Sequence, residues 1–499
     1  MDAIGDYDIV VYGGTMPGMA AATNASTLLG DERSVLLVNP QPRWGGGSNV
    51  WNFRNWNHGG DSTTPQAGTF RRWYRMTGQA FDPQDLAELC QNHLRGDPNI
   101  DALGFWGLSN VRKTDGELRA AEVAPLKRVD GETKLSGESV IVSGDQFIDA
   151  SESGRLARLA DIPLSIGRQD WASDQRQMAA TLLVKMTDID WQIIRQARSP
   201  NGQQTYGYTV DEISDNRVFW GGHWYVKNSA SIEQFHDNHD RFRIKAINAA
   251  EAGDGEVWTN TLLVYDVDGR YDARERGKIL SYDGKTGPWD TDRARERSKE
   301  LVGSDSFKEA IRAFPGFERA SFVPDGQGNP TTQDVLFRRE TVHTLDTDGF
   351  ALDREHVVDA GTGPESGADA DHFERRIGLG YYWLTNIGYV PETPSDAAES
   401  FATENPVYIP FETLYTSYVP NVLLPGYAAR ISSEAWFELR LLPNLYVLGD
   451  AAGVAAAMAV ERSRNPASFR PEHVSELQEI LREDVGAKLE KDPSYGVVG

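Results

Sequence analysis

Cysteine is almost absent from this chain of 499 residues, since Cys90 is the only one. A single cysteine excludes an internal disulfide, a zinc site built on paired cysteines and a redox-active disulfide within the chain. Any electron transfer by this protein must therefore depend on a bound cofactor.

Long apolar runs are missing as well, because no stretch approaches the roughly 20 residues that span a bilayer. Residues 1–5 lack the basic and apolar regions of a signal peptide, and Asp6 and Asp8 follow them. We therefore expect a cytoplasmic protein. A chain of this length is expected to form two domains, or one domain with a large insertion.

Positive charge is scarce relative to negative charge. The chain has 50 Lys and Arg against 74 Asp and Glu, which gives a formal net charge of −24. A surface of that sign repels nucleic acids and anionic membranes, so neither is an expected partner. Two interpretations of the acidity stay open: an ordinary acidic protein, or adaptation to high salt, in which cations screen the self-repulsion.

The N-terminal region has the order strand, glycine turn, helix, strand. Residues 8–12 (DIVVY) predict a buried strand, residues 19–29 an Ala-rich helix and residues 34–38 (SVLLV) a second strand. The turn between them, residues 13–18 (GGTMPG), would let the backbone approach a pyrophosphate at a helix N-terminus. The pattern is GGxxxG, because Thr15 stands where GxGxxG has its second glycine. A tight turn without a ligand is the alternative interpretation.

Asn39 occupies the end of the second strand, where an acidic residue usually binds ribose hydroxyls. An amide both donates and accepts hydrogen bonds, so this position still suits a ribose.

A second glycine motif lies near the other end of the chain, in residues 442–457 (LPNLYVLGDAAGVAAA). We predict a strand over 444–448, a turn at Gly449 and Asp450, and a helix from Val454. Asp450 would bind a ribityl hydroxyl, and the N–H groups of residues 452–454 would face the negative charge of a reduced flavin. A plain strand–helix corner is the alternative.

The remaining pattern is α/β with a change of character in the middle. We predict helix over 68–98 and a strand-rich meander over 116–148. The second region has strands near 182–186, 217–220 and 256–264 and a long helix over 291–313. Strands are expected again at 335–345, 407–411 and 422–424, and a helical tail over 466–499.

Several segments resemble one known family in the family's own order. They are VVYGGTMPGMAAA (10–22), FIDASESGRLARLADIPLSIGR (147–168), TLLVKMTDIDW (181–191), FPGFERA (314–320), LFRRETVH (336–343), VYIPFETL (407–414) and RLLPNLYVLGDAAGVAAAMAVE (440–461). The family is the FAD-dependent oxidoreductases of the flavoproteins with two dinucleotide-binding domains, whose members are often loosely named "xanthan lyase". The resemblance spans nearly the whole chain and implies FAD as the cofactor, bound noncovalently.

The fold implied by this resemblance is α/β. It has a Rossmann-like FAD-binding domain on the glutathione-reductase-like plan, with an inserted α+β substrate or cap domain. The expected division is 1–170 for the first part of the FAD-binding domain, 171–330 for the insertion, and 331–499 for the second part with a C-terminal helical tail.

The resemblance also assigns cofactor contacts by position. The pyrophosphate would lie on the first glycine turn and the adenosine beside residues 150–152, whereas the ribityl chain and isoalloxazine would meet the second glycine motif. The FAD-binding residues implied in this way are Gly13, Gly14, Gly18, Ala150, Ser151, Glu152, Asp450, Ala452, Gly453 and Val454. We expect the cofactor also to contact Thr15, Met16, Pro17, Asn39, Gly45, Gly46 and Gly449, although Asn39 and the aromatic-rich loop over 43–51 depart from the family pattern.

The sequence offers no Ser-His-Asp or Cys-His spacing. The only histidines at metal-ligand spacing are His236 and His239, which we expect on a solvated helix face or loop, so we expect no metal. A flavin dehydrogenation needs a base for the substrate proton, and the candidates are His58, His343 and His223. Arg338 and Arg339 have planar forks that suit a carboxylate. For each of these residues, an ordinary structural role is the alternative.

Residues 51–58 (WNFRNWNH) mix large aromatic rings, which favour burial, with amides that need partners. Such a mixture suits the wall of a pocket. We predict that Trp51, Arg54 or His58 lies near the flavin ring, with Trp51 and Arg54 binding substrate. In the alternative, the aromatics only attach the loop to its domain.

The sequence thus favours an FAD-dependent dehydrogenase or oxidase that transfers a hydride from a small polar substrate, carbohydrate-like or polyol-like, to flavin N5. The alternatives are a flavin monooxygenase and an FAD-binding protein without turnover. The electron acceptor, whether oxygen, a quinone or a protein, and the oligomeric state are left open.

Overall fold

Short apolar strands separated by turns build two main sheets. The computed structural model describes residues 3–32, 34–47, 67–253, 255–276, 287–345, 349–392 and 401–491. The strands are β1 (Ala3–Tyr12), β2 (Val35–Asn39), β3 (Ile100–Gly104), β4 (Trp106–Thr114), β5 (Glu117–Val129), β6 (Glu132–Leu135), β7 (Val140–Asp149), β8 (Ser165–Ile166), β9 (Ala180–Thr181), β10 (Val184–Thr187), β11 (Tyr206–Val210), β12 (Arg217–Gly221), β13 (Phe242–Glu251), β14 (Val257–Val264), β15 (Val267–Asp268), β16 (Trp289–Asp290), β17 (Ser321–Phe322), β18 (Val342–His343), β19 (Arg376–Gly380), β20 (Trp383–Leu384), β21 (Phe401–Ala402), β22 (Val407–Pro410) and β23 (Val422–Leu423).

The helices connect and cover these strands. They are α1 (Met16–Leu29), α2 (Gly68–Thr77), α3 (Pro83–Gly96), α4 (Arg155–Leu159), α5 (Trp191–Gln196), α6 (His223–Asn228), α7 (Ala230–Asn238), α8 (Thr291–Val302), α9 (Asp305–Arg312), α10 (Arg354–Val358), α11 (Ser433–Leu439), α12 (Leu442–Arg462) and α13 (Pro471–Ile480).

The first sheet has a parallel centre. Its order is β3-β2-β1-β7-β5-β4, with β23 pairing β7 and β6 pairing β5. β1 runs parallel to both β2 and β7, and β3 and β23 extend the parallel part. β4, β5 and β6 are antiparallel. The expected βαβ unit is therefore confirmed, and the sheet is a Rossmann-like α/β arrangement.

Alternation along the strands divides the core around this sheet into two layers. Ile9 and Val11 of β1 belong to the cluster that includes α1 and α12, whereas Val10 and Tyr12 belong to the cluster under β4 and β5. Successive strand side chains point to opposite faces, so both faces of β1 are covered, as a buried parallel strand requires.

The second sheet is antiparallel and is formed by strands within residues 180–322. Its order is β11-β12-β13-β14-β10-β17, with β9 pairing β14. A separate apolar cluster joins this sheet to α7, α8 and α9. These strands fall inside the region predicted as an insertion. The domain boundaries at 170 and 330 stay a prediction.

Four predicted elements differ from the structure. Residues 68–98 form two helices, α2 and α3, with residues 78–82 between them. Residues 291–313 form two helices, because Gly303 ends α8 and the Ser304 hydroxyl caps α9 by accepting from Phe307 N. Most of 335–345 lies outside strands, and β18 is its only strand among the described residues. Residues 444–448 are helical, within α12, and not a strand. An apolar run buried on all sides fits either element, so periodicity did not separate them.

Contrary to the expectation from the sequence, one described helix, α12, is long and apolar enough to cross a membrane, and 94% of its most apolar stretch is buried inside the protein. It packs closely along α1 and is a core helix in this fold.

Candidate active site

The first glycine turn lies where β1 passes into α1, at the carboxyl edge of the parallel strands. Gly13 has a φ of 118°, and a Cβ on it would lie 2.6 Å from the Ala150 carbonyl carbon. A Cβ on Gly18 would lie 1.9 Å from the Gly13 oxygen. Thr15 caps α1 by accepting from Gly18 N, and its hydroxyl donates to the Ala150 oxygen at 2.7 Å. The turn therefore requires its glycines for close approach of backbone.

The loop after β2 folds over this turn. Gly45 N donates to the Gly14 oxygen at 2.8 Å, and Gly45 and Gly46 both have positive φ. Asn39 is buried and holds the loop, because its amide donates to the Arg43 oxygen and its carbonyl accepts from Gln41 N. The Asn39 side chain is therefore committed to loop structure in this state.

The Glu152 side chain contacts both the loop after β2 and the segment that contains Arg338. Its carboxylate accepts from Gly47 N at 2.8 Å and from Gln41 Nε2 at 2.8 Å, and it forms an ion pair with Arg338. Arg338 also donates to the Gly269 oxygen at 2.6 Å. The predicted substrate-binding Arg338 is thus engaged by an acid of the chain itself.

Asp149 shapes the segment 150–152 from below. It is fully buried at the end of β7 and accepts from Ser151 N, the Ser151 hydroxyl and Ala157 N. Burial raises the pKa of Asp149, and the hydrogen bonds oppose this increase. Its contacts hold Ala150 and Ser151 against the glycine turn.

These segments surround one cleft, which encloses about 410 Å³ of space, part of it open to solvent. The first turns of both α1 and α12 contribute to its walls. Its lining residues are Thr15, Met16, Pro17, Gly45, Gly47, Ala150, Ser151, Glu152, Phe337, Gly426, Tyr427, Arg440, Leu442 and Leu445.

The sequence reasoning missed Gly426, Tyr427 and Arg440. β23 runs parallel to β7, and a Cβ on Gly426 would lie 2.9 Å from the Ala150 carbonyl carbon. The apolar run at 422–424 followed by a glycine was a usable signal for this corner. Pro443, at a helix N-terminus, signalled where α12 begins.

The second predicted glycine motif does not reach the cleft as expected. Residues 449–454 lie in the middle of α12, and the Gly449 position is about 10 Å along the helix axis from its first residue. A Cβ on Gly449 would lie 2.5 Å from the Pro17 oxygen, and one on Gly453 would lie 2.4 Å from the Ala21 oxygen. These glycines allow α12 to press against α1. Ala452 and Val454 are also buried in this helical packing.

Asp450 holds α2 and α1 to α12 rather than facing the cleft. It accepts from Asn24 Nδ2 at 2.7 Å and from Thr69 N, in the first turn of α2, at 3.1 Å. Burial raises its pKa to about 6, and the bonds from Thr69 and Asn24 oppose that increase. The predicted ribityl contact is therefore corrected to a structural role.

The histidine candidates are placed apart. His343 is buried, bonds Glu340 through Nε2 at 3.1 Å and packs edge-on against Trp436, but it does not line the cleft. His223 is exposed at the start of α6 and is also outside the lining. Trp51, Arg54 and His58 lie outside the described residues, so the prediction for that loop stays a prediction.

A second cleft, of about 640 Å³, adjoins the first at the Glu152–Arg338 pair. Six arginines line it, together with Asp272, Asp292 and Asp334. They are Arg128, Arg155, Arg270, Arg274, Arg295 and Arg338.

Metal ligation finds no support in the described ranges, where no group of three or more His, Cys, Asp or Glu could hold an ion. His236 accepts from Ile244 N, and His239 bonds the Ser306 hydroxyl. Both imidazoles therefore serve the packing of α7.

A family model described as FAD dependent oxidoreductase matches residues 8–481. The match includes both glycine regions and the second sheet. None of the curated proteins compared with the chain matches its sequence.

The solved structures that match the chain share little sequence with it. A geranylgeranyl bacteriochlorophyll reductase-like protein from Thermoplasma acidophilum is 12% identical, with 96% of this chain and 84% of that chain covered and a TM-score of 0.36. A myxobacterial chondrochloren halogenase is 9% identical, with 96% and 80% covered and a TM-score of 0.39. The p-nitrophenol 4-monooxygenase of Pseudomonas putida is 10% identical, with 97% and 87% covered and a TM-score of 0.36.

Proposed function

Because the chain belongs to the FAD dependent oxidoreductase family, whose cofactor is FAD, we propose that it dehydrogenates a small polar substrate. The observation that carries this proposal is the convergence of two helix N-terminal turns, of α1 and α12, on one cleft with a glycine turn at its base. Backbone N–H groups at such turns bind anions and stabilise negative charge that develops there.

The residues present fit FAD. Gly13 and Gly18 let the turn pack against its own backbone, because a Cβ on either would meet Ala150 or Gly13. This packing holds the first turn of α1 at the cleft, where its N–H groups would face a pyrophosphate. Thr15, Ala150 and Glu152 would hold the cofactor from one side and Tyr427 with the first turn of α12 from the other. When bound, FAD supplies an acceptor for two electrons and a hydride at N5.

The chain must then bind the substrate, exclude water and take one proton. In the proposed reaction a C–H bond of a C–OH or C–N carbon breaks as hydride, and the proton of the O–H or N–H passes to a base. Phe337, Leu442 and Leu445 provide apolar walls that limit water in the cleft. With His343 and His223 outside the lining, His58 is our proposed base.

The carbohydrate-like or polyol-like substrate remains our proposal for the polar molecule. It rests on the Trp- and Asn-rich residues 51–58, because aromatic faces stack on sugar rings and amides bond hydroxyls. The acceptor that reoxidises the enzyme, oxygen, a quinone or a protein, is a further partner, and a cytoplasmic location stays a prediction.

The test is spectroscopic. The purified protein should be yellow and should release free FAD on heating or with acid. Under anaerobic conditions, we expect at least one compound from a panel of alcohols, polyols, sugars and amines to reduce and so bleach the flavin. It should do so when the compound and the protein are at equal concentrations. A colourless protein that takes up no FAD on titration rejects the cofactor site. A yellow protein that none of these compounds bleaches rejects the dehydrogenase.

A further inference from the structure

The wall of the cleft behind Tyr427 and Phe337 contains buried positive charge. Arg440 lines the cleft and is only 9% exposed, and Arg339 lies behind it at 3% exposed, with its guanidinium 4.7 Å from the Phe337 ring centre. Lys245, on β13 of the second sheet, is close to Arg339, because both side chains donate hydrogen bonds to Asn260. Three cations thus converge where the two sheets meet the cleft.

Every hydrogen-bond partner of these cations is neutral. Arg440 Nη2 donates to the Thr385 oxygen at 3.0 Å, and Arg440 Nε is buried without a partner among the described residues. Arg339 donates to the Ala179 oxygen and to the side chains of Thr181 and Asn260. Lys245 donates to the oxygens of Ala246 and Asn260. Within the described ranges no carboxylate forms an ion pair with any of the three.

Two acids near this wall, Glu152 and Glu340, are engaged by other groups. Glu152 also lines the cleft and is paired with Arg338. Glu340 accepts from His343, from the Tyr389 hydroxyl at 3.2 Å and from Met178 N at 3.0 Å. Burial lowers the pKa of all three cations, and it lowers the pKa of Arg339 to about 9. A buried cation without a counter-charge is unfavourable, so the binding of an anion beside it would be favoured.

The acidity of the chain sharpens this observation. Asp and Glu exceed Lys and Arg by 24 in the whole sequence, yet among the described residues no carboxylate forms an ion pair with any of these three side chains. By contrast, Arg338, the immediate neighbour of Arg339 in sequence, is paired with Glu152. The missing counter-charge is thus specific to the part of the wall that Arg440 reaches.

We propose that the substrate of this cleft is an anion whose carboxylate binds the Arg440 guanidinium, with Arg339 and Lys245 strengthening the positive field behind it. This inference rests on the proposed function and narrows its substrate class to polar carboxylates, such as hydroxy or sugar acids. A guanidinium presents a planar fork that matches a carboxylate, and a low-dielectric surrounding strengthens the attraction.

Benzoate and benzamide provide the test, because they have the same shape and differ in charge. Each is titrated into the FAD-loaded protein, with binding followed by calorimetry and by the flavin absorption band. Benzoate should bind saturably and at least tenfold more tightly than benzamide. Arg440→Gln should weaken benzoate by about 10–100-fold, the range for loss of a charge-assisted hydrogen bond. Arg440→Lys should retain part of the affinity, and Arg319→Gln, at an arginine with 80% of its side chain exposed, should retain all of it.

Several results would overturn the proposal. Equal affinities for benzoate and benzamide would show that the cleft does not distinguish an anion from a neutral molecule of the same shape. Unchanged benzoate affinity in Arg440→Gln, with weaker FAD retention, would assign Arg440 to the FAD pyrophosphate. Unchanged benzoate affinity with a lowered flavin reduction potential would assign it to the reduced flavin.

The proposed dehydrogenase activity is tested independently of the anion site, since the benzoate titration requires no turnover. A protein that binds benzoate through Arg440 but is bleached by no compound of the panel would keep the anion site and reject the dehydrogenase. In a bleachable protein, a preference for polyols over their matching acids, such as glucitol over gluconate, would reject the anionic substrate alone.

Discussion

Gly14 stands where any side chain would meet the two groups that shape the loop after β2. A Cβ there would lie 2.6 Å from Asn39 Cγ and 2.6 Å from Trp44 Cε3. Gly14→Val should therefore displace that loop from the glycine turn and abolish FAD binding. FAD retained per mole of purified protein measures the effect, with far-UV circular dichroism reporting whether the fold survives.

Gly326→Val is the matched control, because a Cβ on Gly326 meets nothing within 4 Å and the residue has no positive φ. It should retain a full complement of FAD. Normal FAD binding by Gly14→Val would show that the pyrophosphate site has been assigned to the wrong turn.

Asp450 should make stability depend on pH in a definite direction. Burial raises its folded-state pKa from 3.8 to about 6, so the folded state binds the proton more tightly than the unfolded state. Its contribution is fully present below about pH 4 and is lost as pH rises through 6. Relative to Asp450→Asn, the free energy of unfolding of the wild type should rise by about 1 kcal/mol between pH 7 and pH 5.

Urea unfolding of the two proteins at matched pH values measures this difference. Both proteins contain the same other acids, so the contribution of those acids to the pH dependence is removed by the comparison. Parallel pH profiles for both proteins would mean that Asp450 is solvated in solution. Asp450→Asn should also keep its FAD, since Asp450 bonds Asn24 and Thr69 and lies outside the cleft lining.

At the scale of elements, the crossing of α1 and α12 holds the cleft together, since the first turns of both helices line it. Gly453 allows the close approach, because a Cβ there would lie 2.4 Å from the Ala21 oxygen, which is backbone and cannot move aside. Gly453→Val should lower the free energy of unfolding by about 1–3 kcal/mol or more through overpacking. Denaturant unfolding of the FAD-free protein measures this.

Gly96→Val is the control for that substitution, because Gly96 ends α3 and a Cβ there meets nothing within 4 Å. Its effect should stay within about 0.5 kcal/mol. Equal stability of Gly453→Val and the wild type would mean that α12 does not press on α1 as described.

At the scale of the whole molecule, the net charge of −24 predicts that salt stabilises the protein. The screening length falls from about 10 Å at 0.1 M to about 3 Å at 1 M, which weakens repulsion among surface acids. The unfolding temperature should therefore rise between 0.1 and 1 M NaCl, and equally in KCl. A fall in both salts would mean that surface ion pairs such as Arg112–Glu122 outweigh the repulsion.

The chain as a whole also predicts a poor response to NADPH. The sequence has no second nicotinamide-binding glycine turn and only one cysteine, which is buried. Anaerobic mixing of the holoprotein with NADPH should therefore bleach the flavin far more slowly than a substrate found in the panel does. Rapid bleaching by NADPH would instead support a monooxygenase.

The sequence by itself determined the cofactor class and the first strand–helix–strand unit. In residues 8–39 the local pattern is decisive, because a β-branched run, a glycine turn and an Ala-rich helix each have one favoured conformation. The β1–α1–β2 unit was therefore predicted in its place, although β1 begins at Ala3 and α1 at Met16, before the predicted starts at residues 8 and 19. The contact of residues 150–152 with FAD, which only the resemblance implies, stays a prediction.

Only the tertiary structure decided the conformation and contacts of the region around α12. The run at 444–448 is buried on all sides, and burial removes the periodicity that distinguishes a helix from a strand. Asp450 became a structural carboxylate through Asn24 and Thr69, which are hundreds of residues away in sequence. Arg440 became a buried cation with no ion-pair partner among the described residues, because of the groups that surround it in space. Charge compensation depends on which groups folding brings together, and the order of residues alone did not reveal those groups.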